Sequence, residues 1–424
     1  MKIAVVGAGS GYLPGVVRGV LHRADALRGA ELAFHDPDVP AMELMARLAR
    51  GMLKGLCTVT EHPALKTALD GADFVFTTFR PGGMPARHLD ESIPLAHGVV
   101  GQETAGPGGF LMACRSVPPL LELAELAPDD AWIVNYTNPT SVVTDAVLQR
   151  FPGRRFLGLC DQHVGDTEMW EALLGLDGLE ADWIGLNHLT WAETVRHRGK
   201  PLDLPPLLAA LEPPDGGATP WRDPSRMADL GKALGFLPNS YAKYYFFHDE
   251  VVAELRAKGT TRAQDIMATL PAFYAQVEAE SHKADPDPSR ERGGGEHGEF
   301  AIDVICAIAG DEGRRMILNV PNTLPDGGSA IPSLAADTVV EIPCRVGARG
   351  AEPLPVGDLP LPVRGLTQAA ACYERLASRA ATTGDRALAL QALMAHPFTP
   401  GKRAAEAILT EGLAAHRPDL PQFF

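Results

Sequence analysis

A chain of 424 residues with 46% hydrophobic and 21% charged content is too long for one ordinary core, and predicts two or three lobes of a soluble globular protein. Its formal net charge of −15 argues against nucleic acid or an anionic membrane as the main partner, because phosphate contacts need a basic surface. No eighteen apolar residues run together and the chain opens without a signal-type apolar core, so a cytoplasmic protein with no membrane partner is expected. The six cysteines are scattered without framework spacing and read as free thiols.

Residues 2–6 (KIAVV) predict a strand, GAGSGYLPG (7–15) a glycine turn, 16–27 a helix, and AELAFHD (30–36) a second strand ending in an acid. That is the order a dinucleotide-binding fold requires. Gly7 and Gly9 permit a tight turn and close approach of a pyrophosphate, and Ser10, Gly11 and Tyr12 lead into the helix whose amino terminus attracts its charge. Asp36 is placed to accept hydrogen bonds from an adenosine ribose. Tyr12 stands where the third fingerprint glycine belongs, so a glycine turn without a ligand is the alternative reading.

The alternation continues through a helix at 38–56, TVT (58–60), DFVFTTF (73–79), AWIVNYTNP (131–139) and RFLGLC (155–160), predicting a parallel sheet covered on both faces. Ligands of such sheets collect beyond the carboxyl ends of the strands, which selects Arg80, Asn135, Asn138 and Cys160. The stretch 80–109 is dense in glycine and proline. It reads as a loop above those ends, either plain surface or a binding loop offering Arg80, Arg87, Gln102 and Glu103 to hydroxyls or an anion. Beyond about 190 the pattern turns to mixed helices and short strands. The expected organisation is a Rossmann-like, doubly wound α/β domain over 1–190 followed by a mixed α+β domain over 191–424.

Chemistry gathers at 156–188, where FLGLCDQHVGD (156–166) and WIGLNH (183–188) bring apolar runs to Cys160 and His188. Two protein ligands with open positions suit a divalent metal that also takes substrate oxygens; a buried thiol and a satisfied core histidine are the alternative. His163 is the next candidate ligand, and Glu296, His297 and Glu299 form a rival metal site or a solvated loop. Asp161 can deliver a proton beside the metal or serve as a helix cap. Tyr241, in NSYAKYYFF (239–247), is either a core aromatic or a base whose pKa Lys243 and Arg262 lower.

These blocks, with DGADFVFTTFRPGG, ARHLDESIPLAHGVVGQETAGPGG, NYTNPTSVVTDAV, GLNHLTW, GTTRAQDIM and the terminal PQFF, resemble the NAD- and divalent-metal-dependent glycosidases of glycoside hydrolase family 4 in order and over essentially the whole chain. The resemblance implies a fold like lactate and malate dehydrogenases, NAD and Mn²⁺ as cofactors, Cys160 and His188 as metal ligands, Tyr241 as base and Asp161 as acid. It places Arg87, Glu103, Asn138, Asn187 and Arg262 about the substrate, and implies a homodimer or homotetramer acting on a sugar or sugar phosphate. The implied reaction oxidises C3 transiently, removes the C2 proton, eliminates the C1 substituent and reverses the oxidation, outside the usual two-carboxylate scheme. The blocks at 74–110 and PQFF look most like the 6-phospho-β-glucosidase branch. NVPNTLPDGG (319–328) and RGG (292–294) are closer to branches for unphosphorylated α-glycosides, which keeps that substrate class open beside a simple NAD-dependent 2-hydroxy acid dehydrogenase.

Overall fold

The apolar runs of the amino-terminal part form β1 (Lys2–Val6), β2 (Glu31–His35), β3 (Thr58–Glu61), β4 (Phe74–Thr77), β5 (Trp132–Asn135) and β6 (Phe156–Gly158) in a computed structural model that describes residues 1–212, 222–287 and 298–424. All pair in parallel in the order β3-β2-β1-β4-β5-β6, which puts the reversal of strand order between β1 and β4. A crevice opens at such a switch point, outside the carboxyl ends of the strands. The strands are apolar on both faces because helices cover both: Ile3, Val5, Phe34, Val75 and Ile133 are fully buried.

The sheet continues past β6. β7 (Leu179–Ala181) joins β10 (Val195–His197) and β11 (Lys200–Pro201) in a small antiparallel sheet, and β8 (Ile184–Leu186) and β9 (Leu189–Ala192) form a hairpin closed by Asn187 and His188. With β12 (Leu237–Pro238), β13 (Arg314–Pro321), β14 (Val339–Gly347) and β15 (Gly350–Pro353), the main sheet extends as β6-β13-β14-β8-β9-β12 with antiparallel pairing, β15 lying on β14. The junction is narrow: Asn319 of β13 pairs with Gly158, and Glu341 of β14 pairs with Gly185. A Cβ on Gly158 would sit 2.5 Å from Thr140 Cγ2 and 3.0 Å from Asn319 Cβ, so only glycine admits this approach.

Residues 80–109, expected as a loop, instead hold the helix Gly83–Ala96 and the start of the helix Gly106–Leu126. The glycines and prolines mark helix ends: Gly82 is a left-handed N-cap and Pro107 lies in a first helical turn, while Met84, Ala86 and Ile93 bury an apolar face. The two helices are tied by Arg115, whose guanidinium grips Asp90 (2.8 and 2.6 Å) with both side chains fully enclosed. Arg115 Nε also donates to Pro81 O at 3.2 Å, fixing the chain that carries Arg80. Among the described residues no helix is long and apolar enough to cross a membrane, and all six cysteines are free.

Asp90→Ala leaves this guanidinium buried without its counter-charge, and is expected to lower the unfolding free energy by about 3–5 kcal/mol. Urea denaturation followed by circular dichroism measures the change; a midpoint equal to that of the parent protein would contradict the account.

Candidate active site

The glycine turn follows β1 and is shaped by its neighbours. Gly7 takes φ 98°, and a Cβ there would lie 2.4 Å from Thr78 O. Gly7 N donates to His35 O (2.9 Å), and Asp36 closes the turn by accepting from Gly9 N (2.9 Å) and Asp38 N (2.9 Å). A carboxylate with two backbone donors keeps lone pairs for ribose hydroxyls. Tyr12, in the third-glycine position, is the N-cap residue of the helix Leu13–His22 and packs edge-on to Tyr136 at 6.1 Å. The turn and Asp36 therefore form a cradle that fits a dinucleotide.

That cradle forms one wall of a cleft of about 1920 Å³. Gly7, Gly9, Ser10, Gly11, Tyr12 and Asp36 line it, and so do Cys160, His188, Asp161 and Tyr241. Arg87, Glu103, Asn138 and Arg262 line the same cleft. Cys160 sits just beyond β6, and His188 occupies the left-handed corner of the β8–β9 hairpin with φ 62°, a conformation uncommon outside glycine. The two meet at 3.5 Å, Sγ to Nε2.

Burial holds His188 near pKa 4, opposed by Glu103 and Asp161, so its imidazole is neutral at pH 7 and carries a free lone pair. Burial, helped by the Glu341 and Asp161 carboxylates, keeps the Cys160 thiol well above its usual range. A thiol so placed ionises only beside a positive charge. A soft sulfur and a neutral imidazole facing each other fit a divalent metal with open positions, and no group of three or more such ligands occurs among the described residues.

The Tyr241 ring stacks on His188, centroids 4.0 Å apart and planes 4° from parallel. Its phenol is pushed well above the ordinary value by burial first and then by the Glu103 carboxylate. This is the reverse of the lowering expected from Lys243 and Arg262. Lys243 is itself buried and its own pKa is lowered by desolvation. Asp161 occupies the N-cap position of the helix Gln162–Leu174 without making a cap bond, and takes a hydrogen bond from Tyr136 OH at 2.6 Å instead.

Glu103 is bridged by Arg80 Nη2 (3.2 Å) and Arg87 Nη1 (3.1 Å), and Arg87 Nε reaches Glu91 at 2.8 Å. The two guanidiniums draw the Glu103 pKa down against its burial. Glu91 in turn accepts from Ala263 N (2.9 Å), which ties this cluster to the helix Arg262–Ser281. A reciprocal capping box between Thr261 and Gln264 starts that helix, and so sets Arg262 at the rim of the cleft.

Other expected site residues fall elsewhere. Asn187 lies outside the cleft lining and donates to Glu341 Oε2 at 2.7 Å. Asn135 is buried in a network with Thr77 and Thr137. His163 packs edge-on to Phe300 at 5.3 Å and does not line the cleft. Glu296 and His297, like residues 292–294, lie outside the described residues; Glu299 does line the cleft, paired with His22 (3.0 Å) and Arg18 (3.5 Å). Of the segment 319–328, Asn319 supports Glu341 at 2.9 Å and Asn322 holds its own turn, and neither enters the cleft. Glu341, held by two asparagine amides behind Cys160 with its pKa raised to about 7 by burial, is a residue that sequence reasoning missed. Its place in an ordinary strand pattern gave no signal.

The family model described as Family 4 glycosyl hydrolase matches residues 2–176, and that of the Family 4 glycosyl hydrolase C-terminal domain matches residues 183–399. The chain is 35% identical to the probable 6-phospho-beta-glucosidase of Bacillus subtilis, over 100% of this chain and 98% of that one. A 6-phospho-alpha-glucosidase from gut microorganisms, solved with NAD and glucose-6-phosphate, superposes with a TM-score of 0.89 at 28% identity, covering 100% of this chain and 99% of that chain. The 6-phospho-beta glucosidase of Thermotoga maritima, solved with manganese, NAD⁺ and glucose-6-phosphate, gives 0.86 at 28% identity over 99% and 98%. A malate dehydrogenase of Plasmodium falciparum, 13% identical with a TM-score of 0.50 over 90% of this chain and 98% of that chain, shares the fold.

Cys160→Ser exchanges the soft donor for a hard, weakly acidic one, and is expected to shift a manganese titration followed by electron paramagnetic resonance to higher concentration. An unchanged titration would remove Cys160 from the site.

Proposed function

The chain belongs to glycosyl hydrolase family 4, and on that premise we propose that it hydrolyses 6-phospho-glucosides, preferentially β-linked, using NAD and a divalent metal such as manganese. The observation that carries this reading is the Cys160–His188 pair beneath the stacked Tyr241 ring, in the same cleft as the glycine turn. Cys160 and His188 would hold the metal, and Gly7, Gly9, Ser10, Gly11, Tyr12 and Asp36 the NAD. When bound, these groups supply reversible hydride acceptance at sugar C3 and polarisation of the adjoining oxygens.

The chain's own residues do the rest. Tyr241 takes the C2 proton, and its phenolate forms beside His188, where the site's cation would offset the Glu103 charge. Asp161, oriented by the Tyr136 hydroxyl that donates to its Oδ2, passes a proton to the departing C1 oxygen. Arg87, Glu103, Asn138 and Arg262 orient the sugar, with Asn187 acting from behind Cys160. Because the C1 substituent leaves by elimination, either anomer can enter the chemistry. The β preference rests on the blocks at 74–110 and on the B. subtilis relative.

Recognition of the 6-phosphate is supported by the cations of the cleft, which in an acidic protein include Arg87, Arg222, Arg226, Lys243, Lys258 and Arg262. The segment that pointed to unphosphorylated glycosides supports β14 and its own turn rather than the cleft. We further propose residues 1–190 as the NAD-binding domain, residues 191–424 as the substrate and oligomerisation domain, and a homodimer or homotetramer in the cytoplasm. Six unpaired cysteines suit a reducing compartment.

A paired panel of phosphorylated and free aryl glucosides and galactosides, in both anomers, tests the reading. Turnover is expected for the 6-phospho-glucosides, to require NAD⁺, Mn²⁺ and reductant, and to leave NADH flat; equal turnover of the free glycosides, or NADH rising with product, would reject it. Tyr241→Phe is expected to slow exchange of the substrate C2 proton into deuterated solvent by roughly 100-fold or more. Exchange at the parent rate would remove Tyr241 as the base.

A further inference from the structure

Asp166 lies one turn into the helix that follows Asp161, and it is fully buried. Its Oδ1 accepts from Gln162 Nε2 at 3.0 Å and from Ser240 N at 3.2 Å. Gln162 Nε2 also donates to Ser240 Oγ at 2.8 Å, which closes a three-residue ring of hydrogen bonds. Gln162 follows Asp161 in the chain, and Ser240 precedes Tyr241. We propose that Asp166 is a positioning residue that clamps the backbone beneath Asp161 to the backbone beneath Tyr241, and so sets the spacing between proton donor and proton acceptor.

The surrounding bonds define what the clamp adds. The short 3-10 turn Ser240–Ala242 carries Tyr241 and is anchored on its other side by Asn239 N to Thr190 O at 3.2 Å, on the strand that leaves His188. Trp170 Nε1, on the same helix as Asp166, donates to Pro238 O at 3.1 Å. These contacts hold the turn to the hairpin and to the helix body. Only the Asp166 ring, among the hydrogen bonds of the described residues, joins the turn to the residue beside Asp161. A buried carboxylate with one oxygen, Oδ2, lacking a hydrogen-bond partner among the described residues is a costly joint where packing alone would suffice, so its directional bonds are the feature to test.

The proposal rests on the roles assigned above to Asp161 and Tyr241. In the full-length enzyme with NAD⁺ and Mn²⁺, Asp166→Ala is expected to lower kcat and C2-proton exchange by about 100-fold, the loss that accompanies a misplacement of roughly 1 Å. KM and the manganese titration stay as in the parent. Asp166→Asn keeps the Oδ1 acceptor and is expected to recover most of kcat. Parent-like exchange in the alanine variant, or a loss in the asparagine variant as deep as in alanine, overturns the clamp. Ser240→Ala removes the second acceptor of Gln162 while leaving Asp166 in place, and is expected to slow exchange by about 10-fold. Unchanged exchange there contradicts the clamp even where Asp166→Ala does not fold. Parent-like exchange in Tyr241→Phe sinks the base assignment and the clamp with it, whereas a slow Tyr241→Phe beside a normal Asp166→Ala sinks the clamp alone.

Discussion

The approach of Cys160 to His188 depends on a seam in the sheet. β6 is the last parallel strand, and it meets the antiparallel half only where Gly158 lets Asn319 come close. On the far side of that seam, Glu341 pairs with Gly185 of the strand that delivers His188. Within the antiparallel half one carboxylate receives amides from Asn187, beside His188, and from Asn319, the residue that pairs with Gly158. Burying it is unfavourable, and the two amides offset part of that cost. The sulfur and the imidazole face one another because this polar seam holds the two strand ends in register.

The same geometry sets the electrostatics. Depth keeps His188 neutral and Cys160 protonated, which is the donor state a divalent cation converts by displacing a proton. Glu103 lies close enough to raise Tyr241 and to oppose the depression of His188, and it is neutralised by Arg80 and Arg87. The helix Gly83–Ala96 is what brings Arg87 there, and the buried Asp90–Arg115 pair fixes that helix. Stability and chemistry therefore share one helix: Arg87 and Asp90 sit within a single turn and face different partners.

Much of this was legible in the sequence where a strand ends on an unusual side chain. Gly7, Asp36, Cys160 and His188 each close an apolar run; the sheet rule carries the first three to one crevice, and the corner of the antiparallel β8–β9 hairpin brings His188 there. What was not legible came from long-range contact or helix phase. Glu341 lies 154 positions from Asn187 inside a plain strand pattern. Glycines and prolines at 82–107 read as a loop because they punctuate helix ends, and the apolar face between them is short. His163 looked like a ligand by spacing, but the helix turns it onto Phe300. The upward shift of Tyr241 follows from burial first and then from Glu103, a neighbour no local pattern announces.

The central claim is that the glycosidic bond breaks after transient oxidation at C3 rather than by direct displacement at C1. A kinetic isotope comparison on an aryl 6-phospho-β-glucoside deuterated at C3, at C2 and at neither measures this directly. The account predicts slower turnover for both deuterated substrates, with little dependence of rate on the acidity of the departing phenol. Equal rates for all three substrates, with a rate that rises steeply with phenol acidity, would contradict it.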